Sequence, residues 1–106
     1  MAEESDRDNG QYEQEVQTEM AKLLSNVKDM TLYNLSVLAS QGWHHLGLVP
    51  IPGIKDPKVD LEQAKLAIDL FDANLKILEP GLEKDVAKQL KQTLMDLQLN
   101  YVNKSK

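Results

Sequence analysis

The sequence predicts an all-α protein, a small antiparallel bundle of three main helices preceded by one further helix. Apolar residues recur every three or four positions in three long stretches, which is the spacing at which side chains share one face of a helix. Segments rich in proline and glycine separate these stretches, as expected for connections between helices. With 106 residues, the chain has the length of one small domain.

The first main helix is expected at about residues 30–46 from this spacing. Its core face carries apolar and small side chains, namely Leu35, Leu38, Ala39, Gly42 and Leu46. The opposite side, where a solvated helix normally has charged residues, carries a second stripe of Tyr33, Val37, Ser40 and His44. No charged residue occurs between Leu32 and Pro50. This helix is therefore expected to be central in the bundle or to lie at an interface between chains.

An acidic segment precedes this helix. Residues 1–22 contain seven acidic and two basic residues, so they account for the whole net charge of −5. Residues 1–10 are expected to form a disordered acidic tail. Residues 11–28 show the apolar spacing of an amphipathic helix with glutamates on its other side. We expect a break after it, Asp29 as the N-cap of the first main helix, and a helical bundle domain at 29–103.

The connection at 47–59 contains three prolines and two glycines and is expected to be stiff. Its first residue, Gly47, can take the left-handed conformation that ends a helix. The side chain of Asp60 is then expected to cap the second main helix. The two later main helices are expected at about 60–79 and 82–102, with a frayed tail at 104–106. The buried stripe of the first of these alternates strictly between spacings of three and four: Leu61, Ala64, Ile68, Phe71, Leu75 and Leu78. The expected buried stripe of the last helix is Leu82, Val86, Leu90, Leu94, Leu97 and Tyr101.

Composition excludes several classes of protein. The chain has no cysteine, so disulfides, thiolate nucleophiles and cysteine-ligated zinc sites are absent. Residues 23–106 contain ten acidic and ten basic residues. This neutral part of the chain lacks the basic face that nucleic acid binding requires. Polar side chains interrupt the apolar stretch at 32–50, so we expect no membrane span. The first residues lack the basic and apolar regions of a secretion signal, and we expect a cytoplasmic protein.

His44 and His45 are the only histidines and the strongest candidates for catalysis or metal binding. Neighbouring residues in a helix point about 100° apart, whereas helical metal pairs are three or four residues apart. The glutamate-x-x-histidine pairs of helical di-iron proteins are also missing. We therefore expect hydrogen-bonded histidines at an interface and no catalytic, metal or cofactor site.

Charged residues line the outer sides of the later helices. Asp69 and Asp72 have the spacing of a carboxylate pair for acid–base work, but each lies four residues from a lysine. We expect surface ion pairs instead. The third main helix has a modest basic edge, too small for a nucleic acid footprint, formed by Lys84, Lys88 and Lys91.

Residues 30–103 resemble a known family. The resemblance rests on Leu46-Gly-Leu-Val-Pro50, the proline-rich loop, Lys58-Val-Asp-Leu-Glu-Gln-Ala64, Ala67-Ile68-Asp69 and the closing Leu99-Asn-Tyr-Val102. In order and spacing these segments are similar to the small bacterial proteins grouped as domain of unknown function 1844. The resemblance implies a helical, bacterial, cytoplasmic domain and no established activity.

We therefore expect a non-enzymatic protein that acts through self-association or through an unidentified protein partner. The candidate contact surface consists of Tyr33, Val37, Ser40, Trp43 and His44. The alternative is a small enzyme or metal-binding protein that uses His44 and His45. A third hypothesis is docking of residues 11–28 on a membrane or on a partner helix, although the acidic polar face disfavours anionic membranes.

Overall fold

The computed structural model describes residues 14–50, 53 and 58–106. These residues form four α-helices and no strand, so the prediction of an all-helical chain is confirmed. Helix α1 covers residues 14–24, and the longer helices are α2 (Val27–His45), α3 (Leu61–Leu78) and α4 (Lys84–Ser105). The predicted acidic tail and part of the predicted connection at 47–59 lie outside the described residues.

The described residues fall into two compact units, with the boundary between Thr31 and Leu32. In the first unit, Ser25 and Asn26 interrupt the helical backbone between α1 and α2. Oδ1 of Asn26 accepts a hydrogen bond from the N–H of Asp29 at 3.0 Å, which is the bond of an N-cap. The N-cap predicted at Asp29 is therefore wrong. Asp29 lies instead in the first turn, where its charge interacts favourably with the helix dipole.

Helix α2 ends at the predicted glycine. Gly47 has a left-handed backbone with φ 78°, and its N–H donates to the His44 carbonyl at 2.9 Å. The N–H of Leu48 donates to the Trp43 carbonyl at 3.0 Å. These two bonds form a Schellman motif, which turns the chain back across the end of the helix.

The two remaining helices begin and end within three residues of the predicted positions. Oδ1 of Asp60 accepts from the N–H of Gln63 at 3.1 Å, so the predicted cap of α3 is confirmed. A single 3₁₀ turn, Glu79–Gly81, connects α3 to α4. Helix α4 begins after Glu83, whose side chain makes no capping bond, and continues to Ser105, into the segment that was expected to fray.

The core of the second unit contains two clusters of apolar side chains. The first consists of the buried residues Leu46, Ala64, Ile68 and Leu97. Half-buried side chains surround it, namely Ala39, Trp43, Leu61, Leu94 and Tyr101.

The second cluster has Leu35, Phe71 and Leu75 at its centre, each at most 2% exposed. Ala39 and Leu94 pack against both clusters, so the two form one continuous core. Its buried members belong to the apolar stripes predicted from the sequence.

Candidate interaction surface

Three of the five residues predicted to form a contact surface are exposed along one side of α2. Tyr33 is 52% exposed and Val37 is 38% exposed, and Ser40 is exposed as well. Their spacing of four and three residues places them on one helix face. We call Tyr33, Val37 and Ser40 the α2 surface.

The polar groups of the α2 surface carry no charge. The Ser40 hydroxyl donates to the Ser36 carbonyl at 3.1 Å, and the Ser36 hydroxyl donates to the Tyr33 carbonyl at 2.6 Å. Both hydroxyl donors are thus satisfied within the helix. Covering this surface would therefore require neither the desolvation of an ion nor the loss of these two bonds.

The other two predicted surface residues are less accessible. Trp43 is half-buried and packs against the core cluster around Leu46. His44 is only 7% exposed, and its Nδ1 donates to the Val49 carbonyl at 3.1 Å. The chain that turns back at Gly47 covers the ring. Helical periodicity could not reveal this burial, because it depends on the path of the chain after α2.

The two histidine rings contact each other edge to face, with centroids 5.2 Å apart and planes at 68°. His44 already uses Nδ1 for the Val49 carbonyl, which leaves Nε2 as its only ligand atom. Among the described residues, no group of three His, Cys, Asp or Glu side chains could hold a metal ion. The described part of the chain therefore supplies no third ligand to these histidines.

A shallow groove of about 200 Å³ lies between α2 and α3. It is lined by Leu38, Gln41, His45, Gln63, Leu66, Ala67 and Leu70. The exposed leucines of this groove were not predicted. The sequence did contain a signal for them, because Leu66, Leu70 and Ile77 recur at helical spacing on a second side of α3.

The outer side of α3 carries the two predicted ion pairs. Lys65 Nζ lies 2.7 Å from Asp69 Oδ2, and Lys76 Nζ lies 3.3 Å from Asp72 Oδ2. The hydrogen bond from Lys65 to Asp69, together with the charge of that carboxylate, raises the pKa of Lys65 above its ordinary value of 10.5. Each aspartate is thus paired with a lysine on the surface, as expected of ordinary helix-stabilising pairs.

Comparison with known proteins identifies the family. A family model described as Domain of unknown function (DUF1844) matches residues 27–103. The chain belongs to this family. The resemblance of residues 30–103 is thereby confirmed. No curated protein and no solved structure gives a significant match.

The DUF1844 region contains α2, α3 and nearly all of α4, together with the α2 surface and both core clusters. Helix α1 precedes it. Within the described ranges, no helix combines the length and the apolar character needed to cross a membrane.

Proposed function

We propose that this DUF1844 protein is non-enzymatic and acts by contact between proteins, through self-association or through an unidentified protein partner. The contact uses the α2 surface, with Trp43 and His44 at its C-terminal end. Trp43 contributes its accessible edge, and the buried His44 holds the chain after α2 in place through the Val49 carbonyl.

The observation that carries this proposal is the exposure of Tyr33 and Val37 on a helix side that carries no charged residue from Leu32 to the end of α2. Helix sides that face water normally carry charged residues. Tyrosine is enriched at interface positions that contribute strongly to binding, and charged residues are depleted at interface centres. The composition of the α2 surface thus fits a contact between proteins better than a solvated face.

We also propose that α2, α3 and α4 pack as an antiparallel bundle that holds the α2 surface rigid. Leu35, in the first half of α2, packs with Phe71 and Leu75 of α3. Leu46, just after α2, packs with Ala64 in the first turn of α3. This order of contacts fits helices that run in opposite directions. The single 3₁₀ turn between α3 and α4 favours the same reversal there.

The cytoplasm of a bacterium is the location we propose, and its support is the resemblance of residues 30–103 to small bacterial proteins. Immunoblots of cytoplasmic and membrane fractions test it. Recovery of the protein in the membrane fraction alone would contradict it.

The Val37→Glu variant tests the role of the α2 surface. A glutamate there places a charge in the contact, so the mass in solution should fall below that of the parent, with helix content unchanged. Ile77→Glu is the matched control, because Ile77 is an exposed aliphatic residue on another helix. Light scattering after gel filtration measures the mass. Equal masses for the parent and the Val37→Glu chain would exclude self-association through this surface.

Co-purification of two differently tagged copies separates self-association from binding to another protein. Recovery of the second tagged copy, reduced in the Val37→Glu variant, would show self-association through the α2 surface. Recovery of one stoichiometric foreign protein, lost in the variant, would show an adaptor. If neither is reduced while Val37→Glu remains folded, the α2 surface is not the contact.

The alternative function, a small enzyme or metal-binding protein that uses His44 and His45, makes a different prediction. Purified protein would then contain stoichiometric metal that a double His→Ala variant loses, or would show a turnover that depends on the histidines. Elemental analysis and comparison of the two proteins distinguish the two functions. Metal-free protein whose behaviour survives the double His→Ala change would leave the histidine hypothesis without support.

A further inference from the structure

The outward side of α4 carries a second surface, formed by exposed residues at spacings of four and three. It begins with three lysines and ends with three large apolar residues: Lys84, Lys88, Lys91, Met95, Leu99 and Val102. Each of the three apolar residues is at least half exposed. We call these six residues the α4 surface.

The basic half of the α4 surface borders a shallow groove of about 410 Å³. Leu82, Ala87 and Met95 form its apolar lining, and Lys84, Lys88 and Lys91 line it as well. Lys91 pairs with Glu79, whereas Lys84 and Lys88 form no ion pair with any described residue. An apolar lining flanked by unneutralised lysines matches an amphipathic helix that carries acidic residues.

Helix α1 has these properties. Val16, Met20 and Leu24 recur every four residues and are exposed. Glu15 and Glu19 are exposed beside them; Glu19 pairs with Lys22 of the same helix at 3.5 Å, whereas Glu15 forms no ion pair with any described residue. The segment up to residue 22 carries the whole net charge of the protein. Each chain therefore contains an acidic amphipathic helix, α1, and a surface of complementary basic and apolar character, the α4 surface.

We propose that α1 of one copy docks on the α4 surface of a second copy. Eleven helical residues span about 16 Å, roughly the distance from Lys88 to Leu99 along α4. In a parallel arrangement, Glu15 lies beside Lys88 and Lys91, and Leu24 lies beside Leu99. The apolar contacts supply the affinity, and the ion pairs select the orientation.

This contact joins two different surfaces, so it is heterologous and is distinct from contact through the α2 surface. A heterologous contact has a specific property: two variants that are each defective on a different side can complement one another. Leu24→Asp damages only the docking helix, and Leu99→Asp damages only the receiving surface. A mixture retains one intact pairing, between α1 of the Leu99→Asp chain and the α4 surface of the Leu24→Asp chain.

The test uses full-length chains that all carry Val37→Glu, so that association through the α2 surface does not contribute. Sedimentation equilibrium is measured for the parent, each variant and their mixture. The parent should associate, each variant should be at least about tenfold weaker, and the 1:1 mixture should form a heterodimer of twice the 12.0 kDa chain mass. Leu24→Gln and Leu99→Gln repeat the test with residues that favour helix, and circular dichroism confirms folding.

Charge reversal tests the role of the lysines. Lys88→Glu should weaken association, and mixing it with Glu15→Lys should recover most of the loss. Both effects should be smaller at high salt, because the charges are then screened. A monomeric parent at all concentrations, or a variant mixture that stays monomeric, would overturn the proposal. Stoichiometric binding of a foreign protein to the α4 surface of such a monomeric parent would assign the surface to that partner instead. None of these outcomes depends on whether the α2 surface mediates self-association.

Discussion

Gly42 in α2 lies so close to Leu97 in α4 that a Cβ atom on Gly42 would be 3.0 Å from Cδ2 of Leu97. Leu97 is fully buried, so its side chain has little room to move away. The absence of a side chain at residue 42 thus permits the close approach of these two helices. A bulky residue at this position would push the helices apart.

We expect Gly42→Leu to destabilise the protein by about 2 kcal/mol, because overpacking a core costs roughly 1–3 kcal/mol. Gly42→Ala should change stability by less than about 1 kcal/mol, since its helix propensity gain offsets the close contact. Urea denaturation measures both. Adding Leu97→Ala should recover part of the loss in Gly42→Leu, and an additive double variant would show that the two residues are not coupled.

The bond from His44 to the Val49 carbonyl should make these neighbouring histidines unequal. His44→Ala removes a buried ring and its hydrogen bond, so we expect a loss of about 1–3 kcal/mol. His45→Ala, at a half-buried position whose side chain makes no bond of this kind, should cost less. Thermal unfolding compares the two. Hydrogen exchange should also accelerate at residues 46–49 in His44→Ala alone, and equal effects of both variants would contradict this role.

The periodicity of the sequence was sufficient to identify the buried side of each main helix. Phe71 and Leu75 lie on the strictest stripe, and both are buried. The same periodicity could not show which secondary stripe meets water, because this depends on how neighbouring helices cover one another. Leu66 and Met95 are therefore exposed apolar residues that the predicted stripes did not include.

One feature of the candidate site and one of the start of α2 also required three-dimensional information. His44 follows the spacing of the α2 surface, yet the chain after Gly47 covers it, and helical spacing carries no information about that path. Asn26 and Asp29 are both residues that favour N-caps, three positions apart. Only the hydrogen bond from the Asp29 amide to the Asn26 side chain distinguishes the cap from the first turn.

The cap at the start of α3 can be tested against the start of α4. Asp60→Ala removes the acceptor of the Gln63 N–H and should cost about 1 kcal/mol. The backbone N–H of Asp60, which donates to the His45 carbonyl at 2.8 Å, is unaffected by this change. Glu83→Ala is the control, since the Glu83 side chain makes no capping bond. If denaturant titration gave equal losses, the Asp60 bond would contribute nothing to stability.

Two adjacent residues of α3 should differ sharply on truncation to alanine. Phe71 is 1% exposed at the centre of a core cluster, so Phe71→Ala should cost about 3–5 kcal/mol. Leu70 is exposed on the groove beside α2, so Leu70→Ala should cost no more than about 1 kcal/mol. Calorimetry of both variants tests this difference. Similar unfolding temperatures would contradict the placement of Phe71 in the core.

The ion pair between Lys65 and Asp69 has a defined dependence on pH. The hydrogen bond to Asp69 and the charge of Asp69 raise the pKa of Lys65 above 10.5 in the folded protein. The small stabilisation from this pair is therefore fully present below pH 10.5 and is lost as the pH rises through the folded-state pKa.

Asp69→Asn should lower the pKa of Lys65 towards 10.5, whereas Asp72→Asn, which disrupts the Lys76 pair, should leave it unchanged. NMR titration of the lysine side-chain carbons from about pH 9 to about pH 12 follows this pKa directly. A Lys65 pKa that is the same in the parent and in Asp69→Asn would show that the pair does not persist in solution.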